Sequence, residues 1–360
     1  MRSQGGFPDD DASPPSIWDE DAGFVAYGHG HGVNPEPEPD DDPDAAADAS
    51  AWRRAETSAW RALVEAASRF ARVDERLRAM PATERRAAVG RLAITAATEL
   101  LRREGDLIGP ERLARAMLDR EGMGGEDAPS IGRAVWAALR LGEAALQNRS
   151  PAAGVEDPAT EIDGRGSADG PTQALVARWR AAMTAAADLH PFTRAAYGRA
   201  RWSTLGLSAA GMIVERDVTA MRAAAAAGMG GIGFAPLGRN GPRPDLFRAS
   251  ADAAGRRLLA WLASLDEGAA SALGTLDALA AWRVRAEAAV CDLSGRTPPR
   301  LIAALVENPA VDAPSAARAA GCSTSAAARN FAILEARGVA REITGQGRFR
   351  VWTAALPPGR

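Results

Sequence analysis

The chain has 360 residues, 46% of them hydrophobic and 25% charged, with a formal net charge of −3, which allows two or three domains with a sizeable core. Two cysteines, Cys291 and Cys322, exclude a disulfide framework and are not spaced as zinc ligands. No apolar run approaches the roughly 18 residues of a membrane helix, and the N-terminus is acidic where a signal peptide is basic and then apolar, so the expectation is a soluble, cytoplasmic protein with no membrane partner.

The net charge hides an uneven distribution. Residues 1–49 hold thirteen acids against one base, Arg2, a balance of −12 that leaves +9 on the remainder. That basic remainder suits a polyanionic partner. The first 49 residues combine acid, proline and small side chains ("DDDASPPS", "PEPEPDDDPD") and bury too little surface to offset the entropy of ordering, which predicts a disordered acidic tail. Such a tail serves either as an inert solubilising segment or as an intramolecular mimic of a nucleic-acid backbone. Its His29 and His31 lack a third ligand for a metal.

From Ser50, read as an N-cap, apolar residues recur at helical spacing: Trp52, Trp60, Leu63, Ala67, Phe70, Val73 and Leu77. Pro81 opens a second helix through "ELLRREGD", and "GPERLARAMLDREG" and "SIGRAVWAALRLGEAAL" follow. These form a helical domain over 50–148. Residues 149–171 lose all periodicity and gain Gly, Pro, Asp and Ser, the composition of a linker. A second helical domain spans 172–293, with a stripe of Leu258, Trp261, Leu262, Leu265, Leu273, Leu276, Leu279 and Trp282 that reads as core or dimer interface.

The pattern changes at the last segment, 294–360. "PPRLIAALVENP" is one helix, and "DAPSAARAAGCSTSAAARNFAILEARG" is two helices joined by a tight turn at Gly321. Asp312 or Ser315 caps the first of that pair and Ser323 the second, whose buried stripe is Ala327, Phe331 and Leu334. The spacing of Ala317, Gly321 and Ala327 fits a helix-turn-helix. Two strand-like pieces, "VAREI" and "RFRVW", follow around "TGQG", and the sequence of elements describes a winged helix. The fold expectation is thus mainly α, a helical-bundle body with a C-terminal winged helix-turn-helix and a disordered acidic tail.

Placement gives the chemistry. A second helix in the major groove presents its N-terminal residues to base edges, here Ser323, Thr324, Ser325 and Arg329, of which Arg329 alone has the fork for a guanine. In the hairpin the two-residue period of a strand turns Phe349 and Val351 inward and Arg348 and Arg350 outward, with Arg341 and Gln346 beside them. From Arg296 to Arg360 nine arginines face four acids, a balance of +5. The partner expected is double-stranded DNA. One reading arginine per module makes a homodimer necessary for a specific site, and transcriptional regulation is the expected role.

"GCSTSAAARNFAILEARGVAREITGQGRFRVW" resembles the winged helix that follows many bacterial Fic-type proteins, and "LEARGVARE" is also similar to MarR-type regulators. More broadly, "ARVDERLRAMP", "ELLRREGDLIGPERLARAML" and "LHPFTRAAYGRARW" resemble an uncharacterised bacterial family that joins a distantly Fic-related domain of unknown function to a C-terminal helix-turn-helix. The resemblance implies an enzymatic alternative, AMP transfer to a protein hydroxyl, with His190 as general base and Arg199 on the nucleotide phosphates. Fic transferases carry His-Pro-Phe, two residues, then Gly-Asn-Gly-Arg. Here Arg194, Ala195, Ala196 and Tyr197 replace the variable and Gly-Asn positions, Gly198 and Arg199 arrive one residue late, and Leu100 stands where the related inhibitory helix has Ser or Thr.

"GMGGIG" at 228–233 matches a dinucleotide fingerprint formally, but it follows a helix where the fingerprint needs a strand, and reads as a helix terminus with a connection. No other spacing points to a cofactor or a metal.

Overall fold

The structure, a computed structural model, describes residues 43–118, 128–146, 170–208, 212, 214–239, 253–345 and 349–356. Twelve α-helices lie among the described residues: α1 (Pro43–Ser58), α2 (Trp60–Arg78), α3 (Ala82–Glu104), α4 (Pro110–Leu118), α5 (Ala128–Leu146), α6 (Gly170–Ala185), α7 (Pro191–Leu205), α8 (Val214–Ala224), α9 (Ala253–Ala288), α10 (Thr297–Glu307), α11 (Ala313–Ala320) and α12 (Thr324–Ala336). A short 3-10 turn, Ala225–Ala227, extends α8. Three short strands, β1 (Val311–Asp312), β2 (Ala340–Glu342) and β3 (Val351–Ala354), complete a mainly α chain with a small C-terminal sheet.

Two expectations near the N-terminus are corrected. Disorder through residue 49 does not hold for 43–49, because α1 already starts at Pro43 and buries Ala49 completely; the tail before it lies outside the described residues. The single helix expected from Ser50 is two helices, broken at Ala59, whose φ of −94° and ψ of 12° leave the helical region. The break turns the apolar stripe. Trp52, Phe70, Val73 and Leu77 are buried, whereas Trp60 is 56% exposed with Arg61 over its ring.

The body is a bundle in which α2 packs along α9, α3 against α5, and α7 against α8. Aromatic edges tie these pairs together. Phe70 of α2 meets Phe192 of α7 at 5.6 Å, Trp52 of α1 meets Tyr197 at 5.9 Å, and Trp179 of α6 meets Trp202 at 5.8 Å, all edge to face. Much of the remaining core is alanine, which lets helix backbones approach closely.

Helix α9 runs 36 residues, about 54 Å at the helical rise. Its first two thirds, from Leu258 to Leu276, belong to the body's hydrophobic core. Its last third does something else. Leu279, Trp282 and Ala286, with Val290 just beyond, form one core with α10, α11, α12 and the sheet. The C-terminal cluster therefore starts well before residue 294. Trp282 is fully enclosed, and its indole N–H donates to the Val339 carbonyl at 2.9 Å, bridging α9 to the turn before β2.

The sheet is antiparallel in the order β1, β3, β2, with Val311 opposite Trp352 and Ala340 opposite Ala354. Trp352 stacks flat on Phe331 of α12, centroids 4.5 Å apart. A second tie to the body comes from Arg91 of α3, which donates to the carbonyls of Leu305 and of Asn308 at the C-terminus of α10. Burial pushes its pKa down to about 10, so it stays cationic at neutral pH, the charge a helix C-terminus favours. Removing the bolt between the two cores, Trp282→Ala, is expected to lower stability by about 3–5 kcal/mol in urea unfolding of the full chain, with both cores lost in one transition.

Candidate nucleic-acid interface

The local signals of the α11–α12 pair are read directly in the backbone. The Asp312 carboxylate accepts from the Ser315 amide at 2.7 Å and starts α11. Gly321 then takes φ +64°, the left-handed conformation that lets the chain reverse between two helices, and the Ser323 hydroxyl accepts from the Ala326 amide at 3.2 Å to start α12. Ala327, Phe331 and Leu334 face inward and are fully buried. Ser323, Thr324, Ser325 and Arg329 are exposed, and Ser325 and Arg329 share a face one turn apart. Arg329 has no ion pair among the described residues.

The hairpin departs from its expected alternation. β3 begins only at Val351, so the period counted from residue 348 does not apply to what precedes it. Val351 is buried, but Phe349, expected in the core, is 87% exposed with φ +57°. Arg350, expected to point freely outward, is half-buried; it pairs with Glu335 of α12 at 3.3 Å and lies over the Trp352 ring at 5.2 Å. Arg341 makes a two-pronged pair with Glu111 of α4 in the body, one prong at 3.0 Å. Gln346 and Arg348 lie outside the described residues. Of the arginines expected at DNA, the described structure thus engages Arg341 and Arg350 and leaves Arg329 open.

The His-Pro-Phe segment is the start of α7. His190 is its N-cap: the ring Nδ1 accepts from the Phe192 amide at 3.2 Å, and the His190 amide donates to Glu56 at 3.0 Å. Burial lowers the imidazole pKa, with Glu56 opposing. Phe192 is fully buried. Residues 194–199 are already helical, from the Arg194 amide donating to the His190 carbonyl at 2.9 Å onward, so their amides are committed to the helix and cannot cradle a phosphate. Arg199 is turned to Asp217 of α8 at 2.5 Å, and Arg216 reaches the same carboxylate at 3.0 Å. The geometry gives the nucleotide-transfer expectation no support.

Two buried carboxylates went unnoticed in the sequence. Asp217 is held between two guanidiniums; burial acts to raise its pKa, and Arg199 and Arg216 overcome that and hold it far below the usual carboxylate range. Asp74 of α2 sits inside the "GMGGIG" segment, accepting from the amides of Met229 at 2.7 Å, Gly231 at 2.6 Å and Ile232 at 3.1 Å. The segment is an anion nest whose anion is the protein's own carboxylate. Gly231 approaches so closely that a Cβ would overlap the Asp74 carbonyl oxygen. Among the described residues no group of three His, Cys, Asp or Glu is placed to hold a metal ion, and no helix is long and apolar enough to cross a membrane. His29 and His31 lie outside the described residues.

No protein-family model matches this chain, and no curated protein is similar to it at a significant level.

The Asp217 arrangement makes a pH prediction. A carboxyl whose folded pKa is depressed stabilises the fold above its unfolded value, about 3.9, and loses that contribution as pH falls toward the folded value. Asp217→Asn should therefore lower stability at pH 7 by about 3 kcal/mol in chemical denaturation. The gap between variant and wild type should narrow as pH falls from 5 to 3, while equal gaps at both ends would show that the charge is not what holds the site.

Proposed function

We propose that the C-terminal unit is a winged helix that binds double-stranded DNA, with α12 as the helix entering the major groove, and that the chain acts as a transcriptional regulator. The observation that carries this reading is the division of α12 into two faces. One is locked into the core by Ala327 and Phe331, and the other presents Thr324, Ser325 and the open guanidinium of Arg329 to solvent. Arginine there has the geometry for the N7 and O6 of a guanine, and the hydroxyls suit phosphate or base contacts. The +5 balance of residues 296–360 supplies the electrostatic attraction. A second copy of the chain supplies the second reading helix that a specific site requires.

The helical body acts on this surface through Arg341. Glu111 holds its guanidinium on the α4 side, and a phosphate has to displace that carboxylate before Arg341 contributes to binding. Both residues are about half exposed, so the exchange is between two solvated anions and costs little.

Anisotropy titration of the full chain against a labelled mixed-sequence duplex tests the reading. Arg329→Ala is expected to weaken binding about tenfold, the loss of one good bidentate contact. Glu111→Gln, which releases Arg341, is expected to tighten it about threefold. Arg329→Ala binding as wild type does would remove α12 as the reading helix.

A further inference from the structure

Phe349 is an outlier in two independent respects. Large aromatic side chains usually end buried, and this one is 87% exposed. It is also the single non-glycine residue with positive φ among the described residues, at +57°, a conformation unfavourable to any side chain with a Cβ. Strained residues persist where the surroundings over-determine them.

Here they do. On the entry side of the hairpin the Glu342 carboxylate accepts from the Thr344 amide at 2.6 Å, from the Thr344 hydroxyl and from the Gly345 amide at 3.1 Å. The Ile343 amide donates to the Val351 carbonyl at 2.9 Å. On the exit side Arg350 is held by Glu335 and lies over Trp352, which is itself stacked on Phe331. Braced residues thus lie on both sides of Phe349 in the sequence, and its ring stands in water.

An exposed aromatic held this way gains from any partner that covers it, and the surrounding charge selects the partner. The segment that carries it, residues 296–360, has a balance of +5. A polyanion with flat π faces fits that chemistry, and an apolar protein groove does not. Apolar wedges between base pairs are a known way to kink a duplex, and they act most easily at flexible pyrimidine–purine steps. We propose that Phe349 is a wedge that inserts into a base step and partly unstacks it when the C-terminal unit docks on DNA. This inference rests on the DNA-binding reading and adds to it a deformation of the duplex.

The test uses the full chain and duplexes carrying 2-aminopurine at pyrimidine–purine steps. Wild type is expected to raise the 2-aminopurine emission as it binds. Phe349→Gly should bind about tenfold more weakly, the loss of one stacked base contact, and give no emission rise. Its thermal midpoint should equal or exceed that of wild type, because glycine accepts φ +57° without strain, so misfolding does not explain the loss. Wild-type binding without an emission change, or a glycine variant equal to wild type in affinity and emission, overturns the wedge and leaves DNA binding standing. Absence of any duplex binding by wild type overturns both.

Discussion

Everything at the C-terminal end depends on one helix belonging to two hydrophobic cores. Helix α9 cannot satisfy Leu258 to Leu276 without joining the body, and it cannot cover Trp282 and Ala286 without α10, α12 and the sheet. A helix of 36 residues is stiff over its length, so the two cores are fixed in orientation as well as connected. The indole of Trp282 and the guanidinium of Arg91 then satisfy carbonyls that the junction buries, at Val339 and at the end of α10. Unmet, each such carbonyl would cost about 1–3 kcal/mol. Helix α12 is consequently carried on a rigid stem, and its exposed face is set by the body as much as by its own residues.

The same rigidity decides the fate of the arginines. Basic charge is abundant in residues 296–360, yet geometry commits much of it: Arg337 to Asp292, Arg341 to Glu111, Arg350 to Glu335, and Arg300 to the Ala320 carbonyl at the end of α11. Composition alone would have counted all of these as available to a polyanion. Ion pairs this exposed are individually weak. The buried charges behave differently. Asp217 between two guanidiniums and Asp74 within three amides are enclosed, and their role is to hold α7, α8 and the following loop in place.

Local chemistry was legible in the sequence and long-range contact was not. The α11–α12 pair is written in Asp312, Gly321 and Ser323, because caps and turns are satisfied within three or four residues. Helical period likewise located most of the bundle. The strand phase of "RFRVW" failed because nothing local marks where β3 begins; of its two partners, β2 is three residues long and β1 only two, forty residues away. Trp60 left the core because the break at Ala59 rotates the stripe, a packing outcome with no proline or glycine to announce it. Arg341 and Glu111 are 230 residues apart, beyond any spacing rule. Asp74 did leave a trace: it follows Phe70 by four residues and precedes Leu77 by three, an acid on the buried face of α2 that demanded a partner.

Salt separates the electrostatic surface from a merely basic composition most directly. Binding of the full chain to a mixed-sequence duplex should weaken linearly in log K against log salt concentration, with a slope of about −2 to −4 for the few arginines that can reach phosphates. A chain that fails to bind duplex at low salt, or that binds with no dependence on salt, would contradict the proposal that α12 and the hairpin form a DNA-binding surface.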